Sequence, residues 1–361
     1  MSEWWYRMST SYFMLPAYIE EIAVSLVNRG WIVHSFNTED NEELYNPSNY
    51  LHNSEFEGSK YTLGLDLNIY QFLLNSNKKD TPKDNYRDAA ALLVFCQISK
   101  IEIDPSYAVY EKVNYEESNL DEALPDLELF KNINNSDTEE LAKYALGYES
   151  SYDIATEHKI NHDEKREILT KYRRLTEWDS LYLILLSIVD IKFDKAVPAN
   201  KKLPKFLEWL ISKFRMSLVG TIYAMVLFGK KPLKRMMKYD PKQSIEGRKS
   251  ALWNMTWDLY IMNQFFRKWV GKEDADEFFF ASDDKAFCEL LRSAIKVQQV
   301  GDFSPLTQYL SKSGYEVAED FLKLDESSVE RVYKTKEWGP EYREKLIKSY
   351  EEKLVRSENE T

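Results

Sequence analysis

Residues 61–74, YTLGLDLNIYQFLL, run a strand straight into a helix with no linker between them. No other stretch constrains the fold of this chain as strongly. Leu63, Leu65 and Leu67 take one face at period two, and Thr62, Gly64 and Asp66 take the other. Asn68 is placed to cap the helix that follows. The junction also sets a charge, Asp66, at the end of an apolar strand. An isolated carboxylate there costs several kcal/mol unless a cation, a proton or donors compensate it.

The same alternation recurs on both sides of the sequence. AYIEEIAVSLVNRG reads as an amphipathic helix stopped by its glycine before the strand-like WIVHSFN. NYRDAAALLVFCQISK predicts a buried helix, IEID a short strand and SYAVYEKV another helix. Much later, GRKSALWNMTWDLYIMNQFFRKW reads as a long helix, EFFFAS as a strand and DDKAFCELLRSAI as a helix. Strands alternating with helices predict an α/β fold with a parallel sheet and helices on its faces.

Between these two blocks, residues 119–170 are acidic and polar, which predicts loops and exposed helices. Residues 175–237 read as helical, in WDSLYLILLSIVDI, LPKFLEWLISKFRMSLVGTIYAMVLFG and KKPLKRMMK. Lys205, Glu208, Lys213 and Arg215 interrupt the second of these, favouring a packed helical subdomain over membrane insertion. The last sixty residues predict helices ending in an exposed charged helix with a frayed tail.

A chain of 361 residues with 43% apolar and 14% aromatic content can bury a substantial core. Its N-terminus lacks the basic start and small-residue cleavage site of a leader, so a cytoplasmic, non-membrane protein is expected. Cys96 and Cys288 each fall in an apolar helical pattern and read as reduced core thiols. His158 and His162, four apart, have metal-like spacing, but their polar surroundings read as an exposed helix end. The net charge of −12 argues against a protein that coats nucleic acid with its whole surface. From Lys192 to Lys249, however, fifteen Lys or Arg face only four acids. Lys201, Lys202, Lys230, Lys231, Lys234, Arg235 and Lys238 are therefore candidate contacts to a phosphate backbone. Trp209, Tyr223 and Phe228, in the same stretch, could stack on bases, but their helical spacing favours core packing.

Four acids sit at the junctions of apolar elements. Asp66 ends a strand, Glu111 lies in SYAVYEKV, Asp258 opens the apolar turn of NMTWDLYIM, and Asp284 follows EFFFAS. In an open parallel sheet, sites form beyond the carboxyl ends of the strands. Acids gathered there raise one another's pKa, and a divalent cation relieves the repulsion. Mg²⁺ or Mn²⁺, hard and oxygen-seeking, suits such a set, and the matching chemistry is phosphodiester hydrolysis.

LGLDLNIY resembles the opening strand of PIN-like nucleases, YAVYEKV resembles their helical glutamate, and WDLYIMNQFF…EFFFASDDKAF resembles the segment with their later acids. The resemblance covers about 59–115 and 245–300. It implies a PIN-like central parallel sheet flanked by helices, with a large helical insertion and a helical C-terminal extension. Its boundaries would be an N-terminal extension 1–58, a first half 59–118, a mostly helical insertion with the basic segment 119–244, a second half 245–300 and an extension 301–361. It implies Asp66, Glu111, Asp258 and Asp284 as catalytic metal ligands, with Asn68 and Ser282 in support and Asp283 as a spare acid. Asp179 in TEWDSLY is the nearest competitor for the place of Asp258. The implied activity is a Mg²⁺- or Mn²⁺-dependent endoribonuclease of the toxin, RNA-processing or phage-defence kind, open to a regulatory protein partner. A DNA structure-specific nuclease and a non-catalytic RNA- or protein-binding scaffold are the alternatives.

Overall fold

The computed structural model describes residues 14–36, 41–79, 81–171, 176–271, 276–324, 332 and 335–355. The leader reading of residues 1–13 and the tail 356–361 lie outside the described residues. The chain is α/β and mostly helical, built on one four-stranded sheet. Its strands are β1 (Ile32–Val33), β2 (Lys60–Leu65), β3 (Glu102–Asp104) and β4 (Asp276–Ala281), in the order β1-β4-β2-β3.

The expected parallel sheet is in fact mixed. β2 runs parallel to both β3 and β4, with Leu65 opposite Ala281, whereas β1 pairs antiparallel to β4. The helix Ile19–Arg29 ends at Gly30 in the left-handed region, φ 61°, as the sequence predicts. Because β1 follows that tight turn and is only two residues long, it closes one edge of the sheet and offers little free backbone for further pairing.

The sheet separates two apolar cores, and the period of two assigns each strand residue to one of them. Leu63, Leu65, Phe279 and Ala281 face the first core, with helices Ile19–Arg29, Leu67–Lys78, Asp84–Ser99 and Ser106–Val113. Phe278 and Phe280 face the second, with helices Thr176–Phe193, Leu218–Phe228, Ile245–Val270 and Lys285–Val300. Gly64 is required where these two rings cross β2. A Cβ there would stand 2.8 Å from Phe278 Cζ and 3.0 Å from Phe280 Cδ2.

The segment 119–244 does not stay together as one inserted body. Helices Leu120–Asn134 and Thr138–Ala145 pack on the first core, while the helices from Thr176 onward build the second. The long apolar stretch expected as one helix is two, Ala199–Lys213 and Leu218–Phe228. Ser217 starts the second by accepting a hydrogen bond from Gly220 N at 3.2 Å. Among the described residues, no helix is long and apolar enough to cross a membrane. KKPLKRMMK, expected to be helical, is irregular. Pro232 cannot donate to a helix, Arg235 takes a positive φ of 66°, and Lys230 N is drawn to Tyr309 O at 2.7 Å. The terminal helix Pro340–Leu354 is less exposed than its charges suggest. Leu354 is buried in the second core, and its carbonyl accepts from Tyr239 Oη at 2.8 Å.

Candidate functional site

The site assembles where β2 and β4, parallel neighbours, both end. Asp66 leaves β2 in extended conformation, and its N–H still donates across the sheet to Ala281 O at 2.9 Å. It is the N-cap of helix Leu67–Lys78, with Oδ1 accepting from Leu67 N at 2.8 Å. This corrects the reading of Asn68 as the cap. Asn68 instead joins the two strand ends, donating to Asp66 Oδ2 at 2.6 Å and accepting from Asp283 N at 3.1 Å.

Asp284 repeats the arrangement after β4. It caps helix Lys285–Val300, accepting from Ala286 N at 2.9 Å and Phe287 N at 3.1 Å. Both anions thus sit at positive helix ends. Ser282 ties them together, its hydroxyl donating to Asp66 Oδ2 and accepting from Asp284 N at 3.0 Å. Asp283 turns the other way and accepts from Trp31 Nε1 at 2.8 Å.

Two helices bring the remaining acids. Glu111 lies on Ser106–Val113, which is locked to its neighbours through the next residue, Lys112. Lys112 and Lys78 both pair with Asp126, which is buried on helix Leu120–Asn134. Asp258 sits in the middle of the 26-residue helix Ile245–Val270, the long helix that the sequence predicts. Trp257 Nε1 donates to Asn114 Oδ1 at 3.0 Å, fixing the helix of Asp258 against the end of the helix of Glu111.

The resulting ring of charges includes a cation whose place the sequence did not reveal. Lys238 Nζ lies 2.8 Å from Asp258 Oδ2 and 3.4 Å from Asp284 Oδ2. Expected as an outward phosphate contact, Lys238 is a partly buried counterion, carried inward by the irregular segment after Pro232. Its only signal in the sequence was membership of the basic run. Lys230, Lys231, Lys234 and Arg235, just upstream, are exposed. Lys201 is exposed on helix Ala199–Lys213, and Lys202 on the same helix bonds the carbonyl of Asp194 at 3.4 Å. Trp209 stacks on Phe214 at 5.5 Å and Tyr223 is buried, so both pack in the core.

Electrostatics bind the acids into one unit. Burial pushes Asp66 up to about 6, with the charge of Asp258 adding to the rise, while Ser282, Leu67 N and Lys238 oppose it. Burial, then Asp66 and Asp258, push Glu111 well above the usual carboxylate range. Burial also raises Asp258, against the pull of Lys238. Burial disfavours the charge on Lys238, but Asp258 and Asp284 outweigh it and hold the ammonium firmly protonated. Asp179 lies on helix Thr176–Phe193 and is not among the charges that shift these groups.

Hard oxygen donors and a buried Glu111 Oε2 with no hydrogen-bond partner fit a divalent cation such as Mg²⁺ or Mn²⁺. Among the described residues, no three His, Cys, Asp or Glu side chains form a ready-made metal cage. His158 precedes helix His162–Lys171 instead of sharing a face with His162, which lies 3.1 Å from Glu128 Oε2. Cys96 and Cys288 are free, buried thiols, as the sequence predicts. No protein-family model, no curated protein and no solved structure matches the chain, so the site is read from its own residues.

Proposed function

We propose that this chain is a divalent-metal-dependent, PIN-like nuclease that hydrolyses phosphodiester bonds, with RNA favoured over DNA as substrate. The supporting observation is the convergence of Asp66, Glu111, Asp258 and Asp284, from four separate segments, at the ends of β2 and β4, with Glu111 Oε2 buried and unpartnered. Gathering acids in a partly buried place is electrostatically unfavourable, and a site that serves only stability has no use for it. Asp66, Glu111, Asp258 and Asp284 would hold the ion, which when bound supplies Lewis-acid polarisation of a phosphoryl oxygen and a more acidic water. Asp66 is held in one orientation by Leu67 N, Asn68 and Ser282. Asp284 keeps Oδ2 free of its helix-capping bonds, and Lys238 gives the rim a positive charge that could meet a phosphate.

The test is cleavage of labelled RNA and matched DNA with Mg²⁺ or Mn²⁺ by wild-type protein and by Asp66→Asn and Asp258→Asn. Both variants are expected to fold and to lose cleavage, and full activity in either rejects the assignment. One observation favours a second reading, a non-catalytic scaffold: Lys238 already neutralises part of the acidic charge without any metal. Calorimetry showing no divalent-ion binding while RNA affinity persists would select that reading.

A further inference from the structure

A cleft of about 860 Å³ adjoins the carboxylate ring at Ser282, which bonds both Asp66 and Asp284, and Asp283 faces into the cleft. Its walls are the end of β1, the turn after β4, one face of helix Lys285–Val300 and the turn at 304–308. Arg29, Lys285, Arg292 and Lys296 line it against only two carboxylates, Asp283 and Glu289. In a chain of net charge −12, this is a local reversal of sign.

Both acids in the cleft are engaged, as are Arg29 and Arg292 among its cations. Asp283 accepts from Trp31 Nε1, Glu289 accepts from Tyr309 Oη at 2.6 Å, and Arg29 pairs with Asp88. Arg292 is held by two neutral acceptors, Gly30 O at 2.7 Å and Ile32 O at 3.1 Å, which fix its guanidinium without cancelling its charge. Lys285 and Lys296 are exposed and, with Arg292, lie at positions 0, 7 and 11 of the helix, on one face roughly 16 Å long. On the opposite wall, His34 and Phe36 are partly exposed and in ring contact at 5.2 Å. Burial, then the charge of Arg292, lowers His34 to about 4, leaving a neutral ring at physiological pH. A row of fixed cations facing aromatic rings suits a single polynucleotide strand, whose phosphates meet the cations while a base stacks on a ring.

We propose that this cleft, and not the exposed loop 230–235, is the main seat of the single strand, guiding it from the helix face into the carboxylate ring. The proposal rests on the nuclease reading for its substrate class, but binding is measured apart from cleavage. Fluorescence anisotropy in EDTA would use labelled single-stranded RNA and DNA of about 12 nucleotides, within the range that single-strand sites cover. The proteins compared are wild type, Lys285→Glu/Lys296→Glu, and Lys230→Glu/Lys231→Glu, each checked for an unchanged melting transition.

The cleft double variant is expected to bind at least tenfold more weakly. Its log K against log salt slope should flatten by about 1.4, two phosphate contacts at roughly 0.7 each. The loop variant should bind within about threefold of wild type, within the range of an exposed pair of charges. Unchanged binding in the cleft variant, a larger loss in the loop variant, or no binding by wild type overturns the proposal. If wild type cleaves RNA with Mn²⁺ while the cleft variant binds and cleaves equally well, the cleft assignment falls and the nuclease reading stands. If the cleft variant loses binding but wild type cleaves nothing, the nuclease reading falls and the cleft stands.

Discussion

Replacing Asp66 by Asn should make the metal-free protein more stable at alkaline pH. Asp66 titrates near 6 in the folded chain, against an ordinary value of 3.8, and burial is the largest cause. A carboxyl whose folded pKa is raised binds more protons folded than unfolded between those values. Its contribution to stability is therefore full below about 4 and is lost as pH rises through 6. The loss above pH 7 is of the order of 3 kcal/mol, two pK units at about 1.4 kcal/mol each. Asn mimics the protonated form and caps a helix about as well as Asp. Against this, its amide NH₂ can accept from neither Asn68 nor Ser282, which returns about 1 kcal/mol once the Ser282 hydroxyl turns to accept from it. The expected net gain is about 1–2 kcal/mol at pH 8, turning into a loss of up to about 1 kcal/mol at pH 4. Urea denaturation in EDTA at both pH values measures it. A loss of stability at pH 8, or an equal gain at both, would refute the claim that the charge of Asp66 is a burden on the fold. With Mn²⁺ at a hundred times its Kd, wild type should recover about 2.7 kcal/mol by linkage and the variant should not.

Two further substitutions test the structure around the site. Lys238→Met removes the counterion of Asp258 and Asp284 and should cost about 1–3 kcal/mol in EDTA at pH 8, between the values for exposed and fully buried pairs. Divalent ion should restore most of that loss, and a thermal melt that shows no rescue would separate Lys238 from the cation site. Gly64→Ala drives a methyl group to within 2.8 Å of Phe278 and should destabilise by about 1–3 kcal/mol. An unchanged denaturation midpoint would mean that the two rings can move aside.

Local pattern alone located much of this site. The period of two in β2 and β4, the helix that starts without a linker after Asp66 and the glycine that stops the first helix all depend on neighbours a few residues away. The four acids could be singled out because each interrupts an apolar run, and the structure brings them to one rim. Capping was misassigned by two residues because Asp66 and Asn68 are equally good caps in isolation. The choice fell to Asp66 because Asn68 has a partner, Asp283 N, more than two hundred positions away. Asp258 falls inside the long helix that its sequence predicts, because the apolar spacing of that helix is set by residues within a few turns of one another.

The sequence by itself determined most of the strands and helices, which faces would be apolar, and which acids would be costly to bury. These follow from backbone geometry and the transfer of side chains from water, which act over one or two turns of chain. Only the tertiary structure decided that β1 closes the sheet antiparallel, that the middle of the chain divides between two cores, and that Lys238 turns inward to the acids. Those outcomes depend on contacts between residues far apart in sequence, where packing and charge select one partner among many that local pattern leaves equivalent.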